Sequence, residues 1–187
     1  SGVSVSAERR PELLRIVQQF SLHNRIFLLE DCAYRELRYD GEMIPSIWSY
    51  DASRETVILA QTFSKSFSPG VRVGMGVLPQ CLVKAVSDLK GNDDFGSAHL
   101  NQHIVARAIR TGEYAEHVRR VCESYRRKRD AMVAIVEHEF SGMPGVSWFT
   151  PLGGMYVWMR LPAAIETGFT SPLFKRATQV DKVMYVP

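Results

Sequence analysis

The apolar residues of this chain fall into runs whose spacing names the elements. From Ala7 to Phe20 they recur as Leu13, Leu14, Val17 and Phe20, the period of a helix with one buried face. Ser6 stands where an N-cap hydroxyl belongs, with Glu8 and Arg9 in the first turn. Arg25 to Glu30 holds a compact apolar run, Ile26-Phe27-Leu28-Leu29, with no polar alternation, which predicts a strand buried on both faces as in a parallel sheet. Thr56 to Thr62 predicts a second strand and Val71 to Leu78 a third, after a polar, turn-rich stretch from Arg35 to Ser53. Gln80 to Leu89 reads as a short helix, Lys90 to Gly96 as a loop, and Leu100 to Thr111 as another helix. A long helix follows from Tyr114 to Phe140, with Val118, Val121, Cys122, Tyr125, Met132, Ile135 and Val136 as its stripe and Gly142 and Pro144-Gly145 ending it. Beyond it, Val146 to Phe149 and Met155 to Leu161 predict two strands joined by Thr150-Pro151-Leu152-Gly153-Gly154. Ser171-Pro172 opens a short helix, serine as cap and proline at the first helical position, and Val183 to Val186 reads as a last strand.

Strand and helix in alternation indicate an α/β domain. The change of character after the long helix divides the chain into three parts. Residues 1–112 form part of a mostly parallel sheet flanked by helices, 113–140 a connecting helix, and 141–187 a partial, smaller α/β domain. At 187 residues the chain has room for one sizeable core, or one and a half. Its 45% hydrophobic and 23% charged residues match a soluble globular protein, and a net charge of +3 gives no reason to expect nucleic acid as a partner. Cys32, Cys81 and Cys122 lie far apart with no CxxC pair, which fits neither a disulfide framework nor a zinc site and suits a reducing cytosol. No apolar run reaches the length of a membrane span, and the start lacks the pattern of a signal peptide. Both ends are expected to be cut. Ser1-Gly2-Val3-Ser4-Val5-Ser6 runs straight into a helix, and Val183 to Pro187 stops with nothing after it to cover it.

In open α/β sheets, ligands lie beyond the carboxyl ends of the strands. Asp31 and Tyr34 follow one predicted strand, and Ser64 and Lys65 follow the next. Neighbouring strands would bring a carboxylate, a phenol, a hydroxyl and an amine to one edge, with Arg72 within reach from the returning strand. That set suits a pyridine ring carrying an aldehyde and a phosphate. In that reading Lys65 forms an imine in a non-solvated setting, Asp31 holds the ring nitrogen's proton, Tyr34 donates to the ring oxygen, and Arg72 grips phosphate with Thr62 and Ser64.

The stretches DCAYRELRYDG, TFSKSFSPGVRVG and PLGGMYVWMRLP, in that order, resemble the class I/II aminotransferases of pyridoxal-phosphate fold type I. The likeness is to the aminoadipate/kynurenine-type enzymes and to the regulators that carry an aminotransferase-like domain. It spans nearly the whole chain. The resemblance implies pyridoxal 5′-phosphate as cofactor, Lys65 as its Schiff-base lysine and general base, Asp31 at the ring nitrogen, Tyr34 at the ring hydroxyl and Arg72 at the phosphate. Thr62 stands where the family usually has serine, and Gly153-Gly154-Met155-Tyr156 resembles the small-domain hairpin that faces the substrate. An amino acid and a 2-oxo acid are the implied substrates, and a cytoplasmic homodimer the implied assembly. The asparagine that contacts the ring oxygen, the preceding half of the family's chain and the arginine that binds substrate carboxylate are not matched. The resemblance therefore implies the central and C-terminal part of an aminotransferase, incomplete and inactive by itself, with apolar surface left exposed.

Other features read more simply. His99 and His103 are four apart on a predicted helix but lack the glutamate of H-E-x-x-H and a third ligand, so no metal is expected. Arg119, Arg120, Arg126, Arg127, Lys128 and Arg129 alternate with Glu116, Glu123 and Asp130 and read as a solvated face. Trp48, Trp148 and Trp158 read as core or interface residues, and Cys32 as a packing residue. The competing function is an aminotransferase-like effector domain of a transcriptional regulator, because such domains keep the same lysine. A non-catalytic scaffold is the third reading.

Overall fold

The computed structural model describes residues 3–187; Ser1 and Gly2 lie outside them. In chain order it holds α1 (Arg9–Phe20), β1 (Leu28–Asp31), α2 (Ile47–Tyr50), β2 (Val57–Thr62) and β3 (Gly74–Val77). Then come α3 (Gln80–Asp94), α4 (His99–Thr111), α5 (Glu113–Phe140), β4 (Ser147–Phe149), β5 (Trp158–Arg160) and α6 (Pro172–Gln179).

The first three strands form one sheet in sequence order. β1 and β2 run parallel, Leu28 opposite Val57 and Asp31 opposite Ala60, with α2 in the crossover between them. β3 returns antiparallel, Thr62 opposite Gly74. A parallel return needs a long crossover, usually through a helix, and the β2–β3 loop holds only the 3₁₀ turn Pro69–Val71. The α/β class stands, with a mixed sheet in place of a mostly parallel one. β4 and β5 form a separate antiparallel pair, Trp148 opposite Met159.

Two apolar clusters flank the sheet. Leu14 of α1, Ile47 of α2 and Val57 of β2 pack together, with Leu13, Leu28 and Trp48 around them. Phe63, Val71, Val105, Ala108 and Tyr114 form the second, joining the β2–β3 loop to α4 and α5. β1 is not buried on both faces: Leu29 is 65% exposed. Glu30 is the residue turned inward, held by an ion pair with Arg10 at 2.8 Å and by the N–H of Trp48 at 3.2 Å.

Several expectations change. Ser6 does not cap α1, whose cap position is Glu8 without a side-chain bond, and Phe20 at its far end is exposed. The third strand is shorter than Val71 to Leu78. The region Lys90 to Gly96 is mostly helix: α3 continues to Asp94, carried past Gly91 by a Lys90–Asp94 ion pair and an Asn92 side-chain bond to the carbonyl of Asp88, and closes at Phe95 in the left-handed conformation. On α5 the inward stripe runs through Tyr114, Val118, Cys122, Tyr125, Arg129 and Val133, while Met132 and Ile135 face out. Val183 to Val186 is not a strand: among the described residues it joins neither sheet. Ser171 caps α6 as expected, its hydroxyl accepting from the N–H of Phe174 at 3.1 Å.

Candidate active site

The carboxyl ends of β1 and β2 lie side by side, because Asp31 and Ala60 are in register. From the first end the chain enters a turn in which Asp31 Oδ1 accepts the N–H of Ala33 at 3.0 Å. This presents Tyr34 beside the second end. From that second end, Thr62 Oγ1 accepts the N–H of Ser64 at 3.1 Å and donates to the carbonyl of Val73 at 3.4 Å. Thr62 thus shapes the lysine turn with the same hydroxyl that sequence reasoning directed at a phosphate.

Lys65 Nζ lies 5.7 Å from the centre of the Tyr34 ring, within cation–π reach. Its side chain is exposed, unlike the non-solvated setting expected for an imine-forming amine. Arg72, left-handed at φ 50°, a conformation uncommon outside glycine, turns its guanidinium back to donate to Ser64 Oγ and the carbonyl of Pro69, both at 3.3 Å. Tyr156 meets Tyr34 edge-on at 6.2 Å between centres. Burial, then Tyr156, holds the Tyr34 phenol above its ordinary value, so it stays a proton donor.

The hairpin between β4 and β5 reaches this edge through backbone. Gly154 N–H donates to the carbonyl of Leu37 at 2.7 Å, and the N–H groups of Tyr39 and Asp40 both donate to the carbonyl of Leu152 at 3.1 Å. Asp31, Tyr34, Gly153, Gly154, Met155 and Tyr156 all line one cavity of about 500 Å³. Thr62, Ser64, Lys65 and Arg72 are not part of its wall. The sequence-derived set is thus brought together as two adjoining halves, bridged by the Tyr34–Lys65 contact.

The donor set fits a phosphorylated pyridine aldehyde. Among the described residues neither Arg72 nor Asp31 makes an ion pair, which leaves a guanidinium beside the Ser64 hydroxyl for an anion and a carboxylate for a protonated ring nitrogen. Cys32, two residues before Tyr34, is buried, and burial followed by the charge of Glu30 pushes its thiol up to about 11, so it packs and does not attack. His99 and His103 bring their Nε2 atoms to 3.0 Å on an exposed helix face, and no cluster of three metal-type side chains occurs among the described residues.

Four residues make contacts that their local sequence does not announce. Glu36, Ser66 and Tyr114 form a hydrogen-bonded line behind Lys65. Arg129, read as part of a solvated face, is only 9% exposed and binds Asp40 and the carbonyl of Pro151. Both α5 residues were detectable, since 114, 118, 122, 125 and 129 keep the helical period.

An α/β domain with a lysine after one strand, and an acid and phenol after its parallel neighbour, has the fold of its structural neighbours, the fold type I aminotransferases. The family model for aminotransferase class I and II matches residues 7–185, and the chain belongs to that family. It is 33% identical to aromatic-amino-acid aminotransferase 1 of Thermococcus litoralis, over 100% of this chain and 42% of the relative. It is 29% identical to an uncharacterized HTH-type transcriptional regulator of Bacillus subtilis, YdfD, over 89% of this chain and 33% of the relative. Among solved structures, the multiple substrate aminotransferase of Thermococcus profundus superposes with a TM-score of 0.88 at 33% identity, over 100% of this chain and 44% of that one. The α-aminoadipate aminotransferase LysN of Thermus thermophilus, solved with N-(5′-phosphopyridoxyl)-L-leucine, superposes at 0.83 and 32% identity, over 97% and 44%. The chain spans less than half the length of each of these relatives. Pyridoxal phosphate is the family's cofactor. Among the described residues no helix is long and apolar enough to cross a membrane.

Proposed function

We propose that the protein carrying this chain is a transaminase that moves an amino group between an amino acid and a 2-oxo acid, with Lys65 as the lysine that bonds the cofactor's aldehyde. The observation that carries this is the meeting of Lys65 with Tyr34 at the shared end of two parallel strands, Arg72 and Ser64 joined beside it. Pyridoxal phosphate, when bound, supplies an electrophilic carbonyl and a ring that draws electrons from the substrate Cα. Asp31 would hold the proton on the ring nitrogen. The Tyr34 phenol would donate to the ring oxygen, and Arg72 and Ser64 would hold the phosphate, with the Thr62 hydroxyl near Ser64. Lys65 Nζ would be the base that takes the proton from the substrate Cα. The hairpin Gly153-Gly154-Met155-Tyr156 forms the wall nearest the substrate. We take residues 1–112 as cofactor-binding, 113–140 as the connecting helix and 141–187 as the substrate-facing part, within a cytoplasmic homodimer. The many exposed apolar side chains, Leu89, Phe95 and Leu100 among them, favour association.

The test is chemical. The full-length protein is incubated with pyridoxal phosphate, reduced with borohydride and mapped by mass; the label is expected on Lys65, and Lys65→Ala is expected to lose it together with about 10²–10⁴ of turnover. A label elsewhere, or none, sinks the assignment. A second reading, the effector domain of a transcriptional regulator, is favoured by the similarity to YdfD. It predicts the same label on Lys65 without turnover of any amino acid and 2-oxo acid pair.

A further inference from the structure

We propose that Tyr114 is a positioning residue for Lys65, acting through Ser66 and anchored by Glu36. This rests on the cofactor role proposed above for Lys65. Ser66 follows Lys65 directly and is 2% exposed, so its side chain points into the protein while that of Lys65 points out. Its hydroxyl lies 2.7 Å from the phenol oxygen of Tyr114, in the first turn of α5. The same phenol is bonded to Glu36 Oε2, on the segment that follows Tyr34.

The direction of this line follows from chemistry. An ionised carboxylate can only accept, so Tyr114 donates to Glu36, and its oxygen is left to accept from Ser66. Burial first, then Glu36, pushes the Tyr114 phenol above its ordinary range, with the Ser66 hydroxyl opposing, so the donor keeps its proton. Each hydroxyl has one orientation, and the backbone at Ser66 is held with it. The ring is fixed independently, Phe63 and Phe67 standing against it at 5.7 and 5.9 Å between centres. His117, one turn along α5, is hydrogen-bonded to the carbonyl of Phe67 at 3.0 Å, and the thiol of Cys122 donates to the carbonyl of Glu36 at 3.3 Å.

The line therefore ties together the two segments that carry Tyr34 and Lys65, and it does so from the far side of the lysine turn. Neither Ser66 nor Tyr114 lines the cavity that holds Asp31 and Tyr34. Their effect on the site passes through the backbone of residues 65 and 66. Without the phenol hydroxyl the Ser66 side chain is free to re-orient, and the aim of the Lys65 amine at its partner changes.

The experiment compares Tyr114→Phe, Ser66→Ala, Glu36→Gln and Glu36→Ala in the full-length protein. Three quantities are read: the rate at which pyridoxal phosphate becomes borohydride-trappable on Lys65, the split between kcat and KM, and the thermal midpoint, with all rates taken well below the lowest midpoint. Tyr114→Phe keeps the ring against Phe63 and Phe67 and removes only the hydroxyl. It is expected to slow labelling and kcat about tenfold, the value of one buried hydrogen bond, with KM nearly unchanged. Ser66→Ala is expected to match it, and the double variant to be no slower than either single one, because the residues act as one line. Glu36→Gln, which still offers an acceptor, is expected to restore most of what Glu36→Ala loses. If Tyr114→Phe and Ser66→Ala lower the thermal midpoint but label Lys65 at the wild-type rate, the line is only structural and the proposal is overturned. Effects that multiply in the double variant overturn it as well. A wild-type protein that takes no cofactor on Lys65 overturns the function proposed above, and the role of Tyr114 with it. Should Tyr114→Phe fail to fold, Ser66→Ala carries the same comparison.

Discussion

Gly153 shows how much one missing methyl can decide. A Cβ built there would stand 2.6 Å from the carbonyl oxygen of Leu37 and 3.0 Å from Cα of Arg38, both backbone atoms that cannot rotate aside. The hairpin and the segment after Tyr34 meet as an antiparallel bridge at Arg38 and Gly153, and only glycine permits that approach. Gly154 is glycine for a different reason, its φ of +81°, with open space around its own Cβ position. Gly153→Ala is therefore expected to cost about 1–3 kcal/mol through overpacking, which for a chain of this size lowers the thermal midpoint by about 2–4 °C per kcal/mol. It should also move Tyr156 off the edge of Tyr34, which tyrosine fluorescence or a cross-peak between the two rings would register. Gly91→Ala, with nothing within 4 Å of its Cβ position and a place inside α3, is the control and should be neutral or stabilising. A wild-type midpoint for Gly153→Ala would end this account. The Gly-Gly pair was legible only as part of a resembling motif; the two separate reasons for it are visible only where the second backbone is present.

At the level of elements, the turn into β2 is organised by Asp51. This carboxylate is fully buried and accepts from the N–H groups of Thr56 at 2.8 Å and Val57 at 2.9 Å and from the hydroxyl of Ser53 at 2.7 Å. Burial raises its carboxyl, and the Ser53, Thr56 and Val57 bonds outweigh that and hold it below the ordinary 3.8. A carboxyl lowered in the folded state stabilises the fold above its unfolded value, and that contribution disappears as the pH falls through the folded value. Asp51→Asn is expected to cost about 1–3 kcal/mol at neutral pH, since a neutral amide oxygen accepts the Thr56 and Val57 N–H groups more weakly than a carboxylate does and the Ser53 hydroxyl loses its acceptor. The loss should shrink toward zero at pH values below the folded carboxyl's own. Urea midpoints of both proteins at neutral pH and well below pH 3.8 check this, and parallel curves for the two would refute it. The sequence marked the strand that Asp51 introduces but not the aspartate's part, since it sits in a stretch that reads only as polar and turn-rich. Cap signals carried by adjacent residues, such as Ser171-Pro172, were legible. Strand signals were weaker: Val183 to Val186 has the right residues, but a strand exists only where a neighbour offers a ladder, and local pattern carries no information about the neighbour.

Across the whole molecule, one arginine braces the junction between the hairpin and the segment after Tyr34, alongside the backbone bonds that cross it. Arg129 sits on the inward stripe of α5, bonds Asp40 on the segment after Tyr34, and bonds the carbonyl of Pro151 at the base of the hairpin. Asp40 takes a second partner, Arg126, at 3.2 Å, and the two guanidinium groups hold its carboxyl below the ordinary value, Arg129 more than Arg126. The Asp31, Tyr34, Lys65 and Arg72 set was legible because each residue belongs to a short local pattern. Arg129 was not, because its partner lies 89 positions away and its neighbours are charged. Its burial follows from helix phase alone, which a reading of charge runs overlooks. Arg129→Ala is expected to loosen the hairpin from the Tyr34 segment without unfolding either sheet. Asp40 is partly exposed, so the loss is set at about 1–3 kcal/mol, below the value for a fully buried pair. Hydrogen exchange locates it: the amides of Tyr39, Asp40 and Gly154, which cross the junction, should exchange about 5–150-fold faster, one decade for each 1.4 kcal/mol. Those of β2, whose ladder is internal to the first sheet, should keep the wild-type rate. Because Arg129 and Asp40 share one interaction, Asp40→Ala combined with Arg129→Ala should cost little more than the arginine change alone. Uniform acceleration across both sheets would mean that α5 holds the fold as a block, and the arginine would then be one packing residue among many.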